Sequence, residues 1–255
     1  MTAIKLVISG CCGRMGSAIA RLALADSVFS ISAALEVSGH AAIGQDYGTV
    51  LGQPARLGVA VANDARQAIS QGDVVIEFTT PTVTVEHIQL AQPLRKPMVI
   101  GTTGLSETQV ATLRSASSTI PIVFSPNMSV GVNLLFELAS LAALRLGISY
   151  DVEIVESHHR QKKDAPSGTA KRLADVLAKT RKQPVTSLPV HALRAGDIVG
   201  DHTVIFAGSS ERLELTHRAH SRDVFAQGAL RAAQFAVRQP PGLYDMSDVL
   251  KGSTH

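Results

Sequence analysis

Two hydrophobic periods alternate through the first half of the chain. Ile4–Ser9 is a short run of branched apolar residues, the pattern of a strand covered on both faces. From Gly16 to Ala25, Ile19, Leu22 and Ala23 fall at helical spacing. Phe29–Leu35 predicts a second strand and 57–61 a third. Asp73–Phe78 and Pro97–Thr103 predict strands on either side of a helix over 83–94, with Pro81 just before its start. A helix over 106–115, opened by a Ser/Glu pair, and a strand over 121–124 complete the series. Strands alternating with helices of this length build βαβ units on a parallel sheet.

Past residue 129 the pattern changes. A long amphipathic helix is predicted over 130–146, a strand over 152–157, and a helix over 169–180 with Leu173, Val176 and Leu177 on one face. Three candidate strands follow with little helix between them, at 190–195, 202–207 and 212–216, which implies an antiparallel or mixed sheet. A final helix is predicted over 223–237, and Pro240-Pro241-Gly242 marks a turn before the tail. The expected fold class is α/β: a parallel-sheet domain followed, from residue 129, by an α+β domain with a mixed sheet.

The composition of 255 residues, 45% hydrophobic and 18% charged, excludes a disordered chain and suits one or two domains. The two cysteines, Cys11 and Cys12, are adjacent, so neither a disulfide framework nor a zinc-finger spacing can be built, and a reducing, cytoplasmic setting is expected. The N-terminal segment reads as a strand rather than a signal peptide. The most apolar stretch, 130–148, is interrupted by Asn133, Glu137 and Arg145 and reads as a helix of a soluble protein rather than a membrane span. The net charge of +3 suggests an anionic partner, while 4% aromatics and no Trp argue against a base-stacking nucleic-acid reader.

Gly10-Cys11-Cys12-Gly13-Arg14-Met15-Gly16 lies at the first strand-to-helix junction. Glycines there permit a tight turn, and the helix N-terminus offers free N–H groups to a pyrophosphate. The motif lacks the usual middle glycine, having Cys12 in its place. Glu36 closes the second strand 20 residues after Gly16, the position of an acid that binds ribose hydroxyls, so the first domain is expected to be a Rossmann-type dinucleotide-binding domain. Val37, Ser38 and Gly39 follow it with no cation for a 2′-phosphate, which favours NADH; Arg14 leaves NADPH open. Gly101-Thr102-Thr103-Gly104 and Ser125-Pro126-Asn127-Met128 follow predicted strands at the sheet edge where ligands bind; each reads equally as a turn.

The densest chemistry is Glu156-Ser-His158-His159-Arg160-Gln-Lys162-Lys163-Asp164-Ala-Pro-Ser-Gly168-Thr169. Residues 157–172 hold five Lys or Arg against one Asp, a net of +4. The segment leads into a helix whose Ser-Gly-Thr start presents N–H groups to an anion. It reads either as a solvated basic loop or as a site for a small carboxylate that is protonated during reaction. No H-E-x-x-H accompanies the paired histidines, and both cysteines belong to the glycine loop, so no resident metal is expected. His191, His202, His217 and His220 read as surface or packed histidines.

Gly10-x-x-Gly13-Arg14-Met15-Gly16, Gly101-Thr102-Thr103-Gly104 and His158-His159-x-x-Lys162-x-Asp164-Ala-Pro-Ser-Gly168-Thr169 together resemble the 4-hydroxy-tetrahydrodipicolinate (dihydrodipicolinate) reductase family. Asn127-Met-Ser-Val-Gly131-Val-Asn133 and Arg194-Ala-Gly-Asp197-Ile-Val-Gly-Asp-His202 extend the resemblance, in order, over nearly the whole chain. The resemblance implies an NAD(P)H-binding domain of residues 1–128 with 223–255, and a substrate-binding, oligomerising domain of residues 129–222. It implies a homotetramer and a small cyclic dicarboxylate substrate reduced by hydride from nicotinamide C4. By motif position, His158 is the proton donor/acceptor and Lys162 the proton donor, with His159, Gly168 and Thr169 on a substrate carboxylate. Gly10, Cys11, Cys12, Gly13, Arg14, Met15, Glu36, Gly101, Thr102, Thr103, Ser125, Pro126, Asn127 and Met128 would contact cofactor. The chain departs from the family at Val37, where NADPH users often carry Arg, and at 182–190, which is shorter than in larger members.

Another two-domain NAD(P)-dependent dehydrogenase of the amino-acid type would share the cofactor half and differ over 158–169. A nucleotide-sensing, nucleic-acid-binding regulator lacks its recognition helix here, so neither nucleic acid nor membrane is an expected partner.

Overall fold

The computed structural model describes residues 2–252; Met1 and residues 253–255, which the sequence reading assigns to the first domain, lie outside them. The chain separates into two compact units, one running to Met128 and resuming at Phe225, the other spanning Ser129–Val224.

The first unit opens with β1 (Ile4–Ser9), α1 (Arg14–Leu24), β2 (Phe29–Leu35), α2 (Tyr47–Val50), β3 (Val61–Ala62), α3 (Ala65–Ser70) and β4 (Val74–Glu77). It continues through α4 (Pro81–Ala91), β5 (Met98–Ile100), α5 (Glu107–Ala116) and β6 (Pro121–Phe124). The second unit holds α6 (Val130–Leu146), β7 (Asp151–His158), α7 (Gly168–Arg181), β8 (Val190–Arg194), β9 (Gly200–Ala207) and β10 (Arg212–Ala219). The chain then forms α8 (Asp223–Ala236), β11 (Gly242–Tyr244) and α9 (Met246–Lys251).

The first sheet runs β11-β6-β5-β4-β1-β2-β3, and every pairing is parallel. Its strands are covered on both faces, which is why Leu6, Val7 and Ile8 are all fully buried. Val7 joins a core with Leu35, Ile69, Val75, Ile88, Met98 and Leu113 beneath α3, α4 and α5. Alternation turns Leu6 and Ile8 the other way, where α1 packs on β1 and β2. Strand order reverses between β1 and β4, so the loops after both strands open at one crevice.

Three sequence expectations change. The strand foreseen at 57–61 shrinks to β3, because Asp46 accepts the N–H groups of Leu57 (3.0 Å) and Gly58 (2.7 Å) and withdraws them from a ladder. The helix foreseen at 83–94 begins at Pro81, whose missing N–H costs nothing in the first turn. The tail is not a bare turn: β11 extends the sheet beside β6, and Asp245 and Asp248 form a capping box for α9.

The second unit has a four-stranded mixed sheet ordered β10-β9-β7-β8, with β7–β8 parallel and the other pairs antiparallel. One face is covered: Val152, Ile154, Val204 and Phe206 meet Leu135, Ala139 and Ala143 of α6 and Leu173 and Leu177 of α7. By length and composition Val130–Ser149 would suffice to cross a membrane, but α6 spends one face on this core. Its other face leaves Leu134, Leu138, Leu141 and Leu144 exposed.

Candidate active site

Residues 10–13 turn sharply between β1 and α1, and two glycines make the turn possible. Gly10 has φ +71°, and a Cβ at Gly16 would stand 2.2 Å from Gly10 O. Gly10 N–H and Cys11 N–H donate to Leu35 O at 3.0 and 3.1 Å, and the buried Tyr47 hydroxyl donates to Cys11 O at 2.8 Å. Among the described residues no side chain caps the N-terminus of α1, and its first turn carries no acid. Those N–H groups and the positive end of the helix dipole are therefore available to an anion. Glu36 accepts Cys12 N–H and Val37 N–H, each at 2.9 Å, which leaves lone pairs on both oxygens. Burial pushes both thiols of the loop up, Cys11 most strongly.

Beside this turn lies a cleft of about 470 Å³, a normal size for a small-molecule site. Gly13, Arg14, Met15, Gly101, Thr102, Thr103, Pro126, Asn127 and Met128 line it, as do Phe78, Thr79 and Phe225. Gly10, Cys11, Cys12 and Glu36 lie off this lining, in the turn and at the end of β2. Ser125 is also off the lining and shapes its own loop, donating from Oγ to Asn127 O at 2.8 Å. Behind the cleft is a buried polar chain. Glu77, fully buried at the end of β4, bonds His87 Nδ1 at 2.7 Å and accepts from Thr79 Oγ1. Thr84 Oγ1 donates to Thr102 Oγ1 at 2.8 Å, and Thr102 Oγ1 accepts Thr79 N–H at 3.1 Å. Thr79 and Thr102, two of the three threonines lining the cleft, are thus held from behind by the buried Glu77 and Thr84.

In the second unit, alternation along β7 puts Val152, Ile154, Glu156 and His158 on one buried face. The apolar pair serves the core; the polar pair continues it at the strand end. Glu156 is fully buried and accepts four hydrogen bonds: Arg194 Nη1 (2.9 Å) and Nη2 (2.8 Å), Ser167 N–H (3.1 Å) and His158 Nδ1 (2.5 Å). Burial drives the Glu156 carboxyl up, but the bonds from Arg194, His158 and Ser167 outweigh it and leave it below the ordinary value. His158 is lowered, chiefly by burial, with the Lys162 and Arg194 charges adding and Glu156 opposing. It is therefore neutral at pH 7, with its proton fixed on Nδ1 by the carboxylate and Nε2 free to accept one.

Ser167 ties this pair to α7. Its Oγ accepts Ala170 N–H at 3.1 Å as the helix cap and also meets His202 Nε2 at 3.1 Å. Gly168 is exposed and Thr169 half-buried in the first turn, which carries no acid. Lys162 Nζ pairs with Asp164 at 2.9 Å, and Lys162 N–H donates to His159 O at 3.0 Å, so Lys162 and His159 share one turn. The Lys162 ammonium holds the Asp164 carboxyl below its usual range. Arg160, Lys163, Lys171 and Arg172 are exposed.

The sequence reading passed over Glu156 and Arg194 as working residues, and Phe78, Thr79 and Phe225 in the cleft. Two-residue spacing on one strand was the available signal for Glu156. His202 is packed, but against the site: its ring centroid is 5.1 Å from that of His158, edge-on, and burial pushes it down to about 4. His191 and His220 lie on the surface, and His217 sits near Ser129 Oγ at 3.5 Å.

Residues 4–128 match the family described as dihydrodipicolinate reductase, N-terminus, and 131–250 its C-terminus. A 4-hydroxy-tetrahydrodipicolinate reductase from Anaeromyxobacter dehalogenans is 48% identical, covering 96% of this chain and 97% of its own. The Nitrosomonas europaea enzyme of that name is 43% identical over 98% and 99%. Among solved structures, dipicolinate-bound dihydrodipicolinate reductase from Paenisporosarcina sp. TG-14 superposes with a TM-score of 0.81 at 26% identity, covering 95% and 97% of the two chains. An amine dehydrogenase from Mycobacterium smegmatis shares the fold at TM-score 0.65 and 16% identity, over 94% of each.

Proposed function

The chain belongs to the dihydrodipicolinate reductase family, and from that premise we propose how its two units share one reaction. The enzyme is an NAD(P)H-dependent oxidoreductase of lysine and diaminopimelate biosynthesis that reduces 4-hydroxy-tetrahydrodipicolinate to tetrahydrodipicolinate. One hydride and one proton enter and one water leaves, while both substrate carboxylates persist.

The first unit takes the cofactor. The uncapped start of α1 and the turn at 10–15 receive the pyrophosphate, and Glu36 receives the ribose hydroxyls. Gly101–Thr103 and Pro126–Met128 border the nicotinamide end of the cleft, and Ser125 shapes the second of these loops from behind the lining. Bound there, the cofactor supplies a hydride from nicotinamide C4. Glu36 and the exposed Val37 offer a 2′-phosphate a carboxylate and no adjacent cation, which supports a preference for NADH.

The second unit takes the dicarboxylate. His159, Gly168 and Thr169 hold a carboxylate at the start of α7, within the field of the surrounding cations. Lys162 gives a proton to the substrate, and His158 Nε2 accepts or returns one, its ring held by Glu156. The observation that carries this reading is the Glu156 carboxylate, which joins the His158 ring and the α7 cap through a single buried group. The exposed leucines of α6, with Leu193 and Leu213 on the sheet, support assembly into a homotetramer. Two free thiols fit a cytoplasmic setting.

A coupled assay tests the reading. Aspartate semialdehyde, pyruvate and the upstream synthase supply substrate, and cofactor loss is followed with NADH and NADPH in parallel. Oxidation of NADH faster than NADPH is expected; no oxidation of either above the enzyme-free rate overturns the assignment. Full turnover in both His158→Gln and Lys162→Ala would instead favour a different dehydrogenase of the same layout.

A further inference from the structure

The thiols of Cys11 and Cys12 have no use in the reading above, since a phosphate loop works through its backbone. The turn nevertheless brings their sulfurs to 3.7 Å. Two sulfurs bound at about 2.3 Å to a tetrahedral ion stand ~3.8 Å apart, so the pair is spaced for a shared cation before any movement. The end of β2 adds a third donor: Cys11 Sγ, Cys12 Sγ and a Glu36 oxygen all lie within 4.8 Å of one another. Each Glu36 oxygen spends one lone pair on a backbone N–H and keeps another. Cys12 and Glu36 are half-buried, which leaves a path from solvent.

We propose that Cys11, Cys12 and Glu36 form a site for a thiophilic divalent cation of the zinc type, and that its occupation excludes the dinucleotide. Two thiolates, one carboxylate oxygen and a water complete four ligands. The cation acts as an inhibitor there, not as a resident cofactor. Binding forms two metal–sulfur bonds and releases two protons to solvent. Because the protons leave as the metal–sulfur bonds form, the affinity for the cation rises with pH. The exclusion rests on the reading of Glu36 and the glycine turn as the cofactor site; the cation site does not.

Cadmium is the probe, because thiolate-to-cadmium charge transfer reports bond formation directly. Titration of the full chain should give that absorption with one Cd²⁺ per chain and tighten as pH rises. Cys11→Ser and Cys12→Ser should each weaken binding at least a hundredfold, and Glu36→Gln about tenfold, with circular dichroism confirming the fold. One Cd²⁺ per two chains, or unchanged affinity in Glu36→Gln, would overturn the site. In the unaltered protein, Cd²⁺ at ten times its own Kd should raise the apparent NADH Kd about tenfold. An unchanged NADH Kd overturns the exclusion, whereas failure to bind NADH without metal counts against the cofactor reading alone.

Discussion

Glu156→Gln exchanges one oxygen for an amide nitrogen at the centre of four donors, and the donors decide which way it faces. With its oxygen on the side of Ser167 N–H and Arg194 Nη2, only Arg194 Nη1 meets a donor head-on. The opposite orientation sets the amide against both Ser167 and Arg194 Nη2. The first is preferred, and it turns the amide N–H toward His158 Nδ1, which must then accept. The imidazole proton moves to Nε2, and the nitrogen meant to accept a proton is blocked. The wrong tautomer removes a general acid/base contribution of ~10²–10⁴ in kcat, while the lost charge-assisted hydrogen bonds cost about 2 kcal/mol of stability. The coupled assay reads kcat, thermal melting reads stability, and ¹⁵N shifts of the imidazole read the tautomer. A variant that folds, carries Nε2–H and keeps kcat within about threefold would refute this role for His158.

Lys162→Ala is expected to lower kcat by ~10²–10⁴, whereas Lys163→Ala, at an exposed position, should leave kcat nearly unchanged; equal losses would show that only the summed charge matters. His202 titrates at 6.5 in an unfolded chain and at about 4 in the fold, where burial and then the His158, His217 and Lys162 charges lower it. The unfolded chain therefore takes up the proton first as pH falls, and ~3 kcal/mol of stability present above 6.5 drains away toward about 4. Denaturant melts of His202→Asn should lose that part of the acid sensitivity, and an unaltered pH dependence would contradict it. Val37→Arg should shift the NADPH:NADH ratio of kcat/KM toward NADPH about tenfold, with no shift placing the ribose elsewhere.

The elements that the sequence announces are those with a local reason. Leu6-Val7-Ile8 reads as a covered strand from its own residues, and Gly16 is imposed by the Gly10 carbonyl within the same turn, whereas Gly10 combines a local positive φ with the distant Phe78 carbonyl. Pairings that form at long range leave no such trace. Arg194 reaches Glu156 across 38 positions and Tyr47 reaches Cys11 O across 36, so nothing near either partner reports the bond. The expected strand at 57–61 fails for the same reason, undone by Asp46 from eleven residues away. His158 and Lys162 could be named by resemblance, but the state of the His158 ring depends on Glu156, Arg194 and Lys162 meeting in the fold.

The order in which strands appear along the chain bears on how it leaves the ribosome. β6 gains its outer neighbour only from β11, which follows the whole of the second unit. Residues 129–224 therefore emerge, and can fold, while the first sheet still carries an open parallel edge. An open edge of this kind is a template for pairing with another chain. A nascent chain arrested before residue 242 would thus hold one finished unit and a sheet that ends on the apolar β6, and the last strand replaces that edge with a shorter one of three residues.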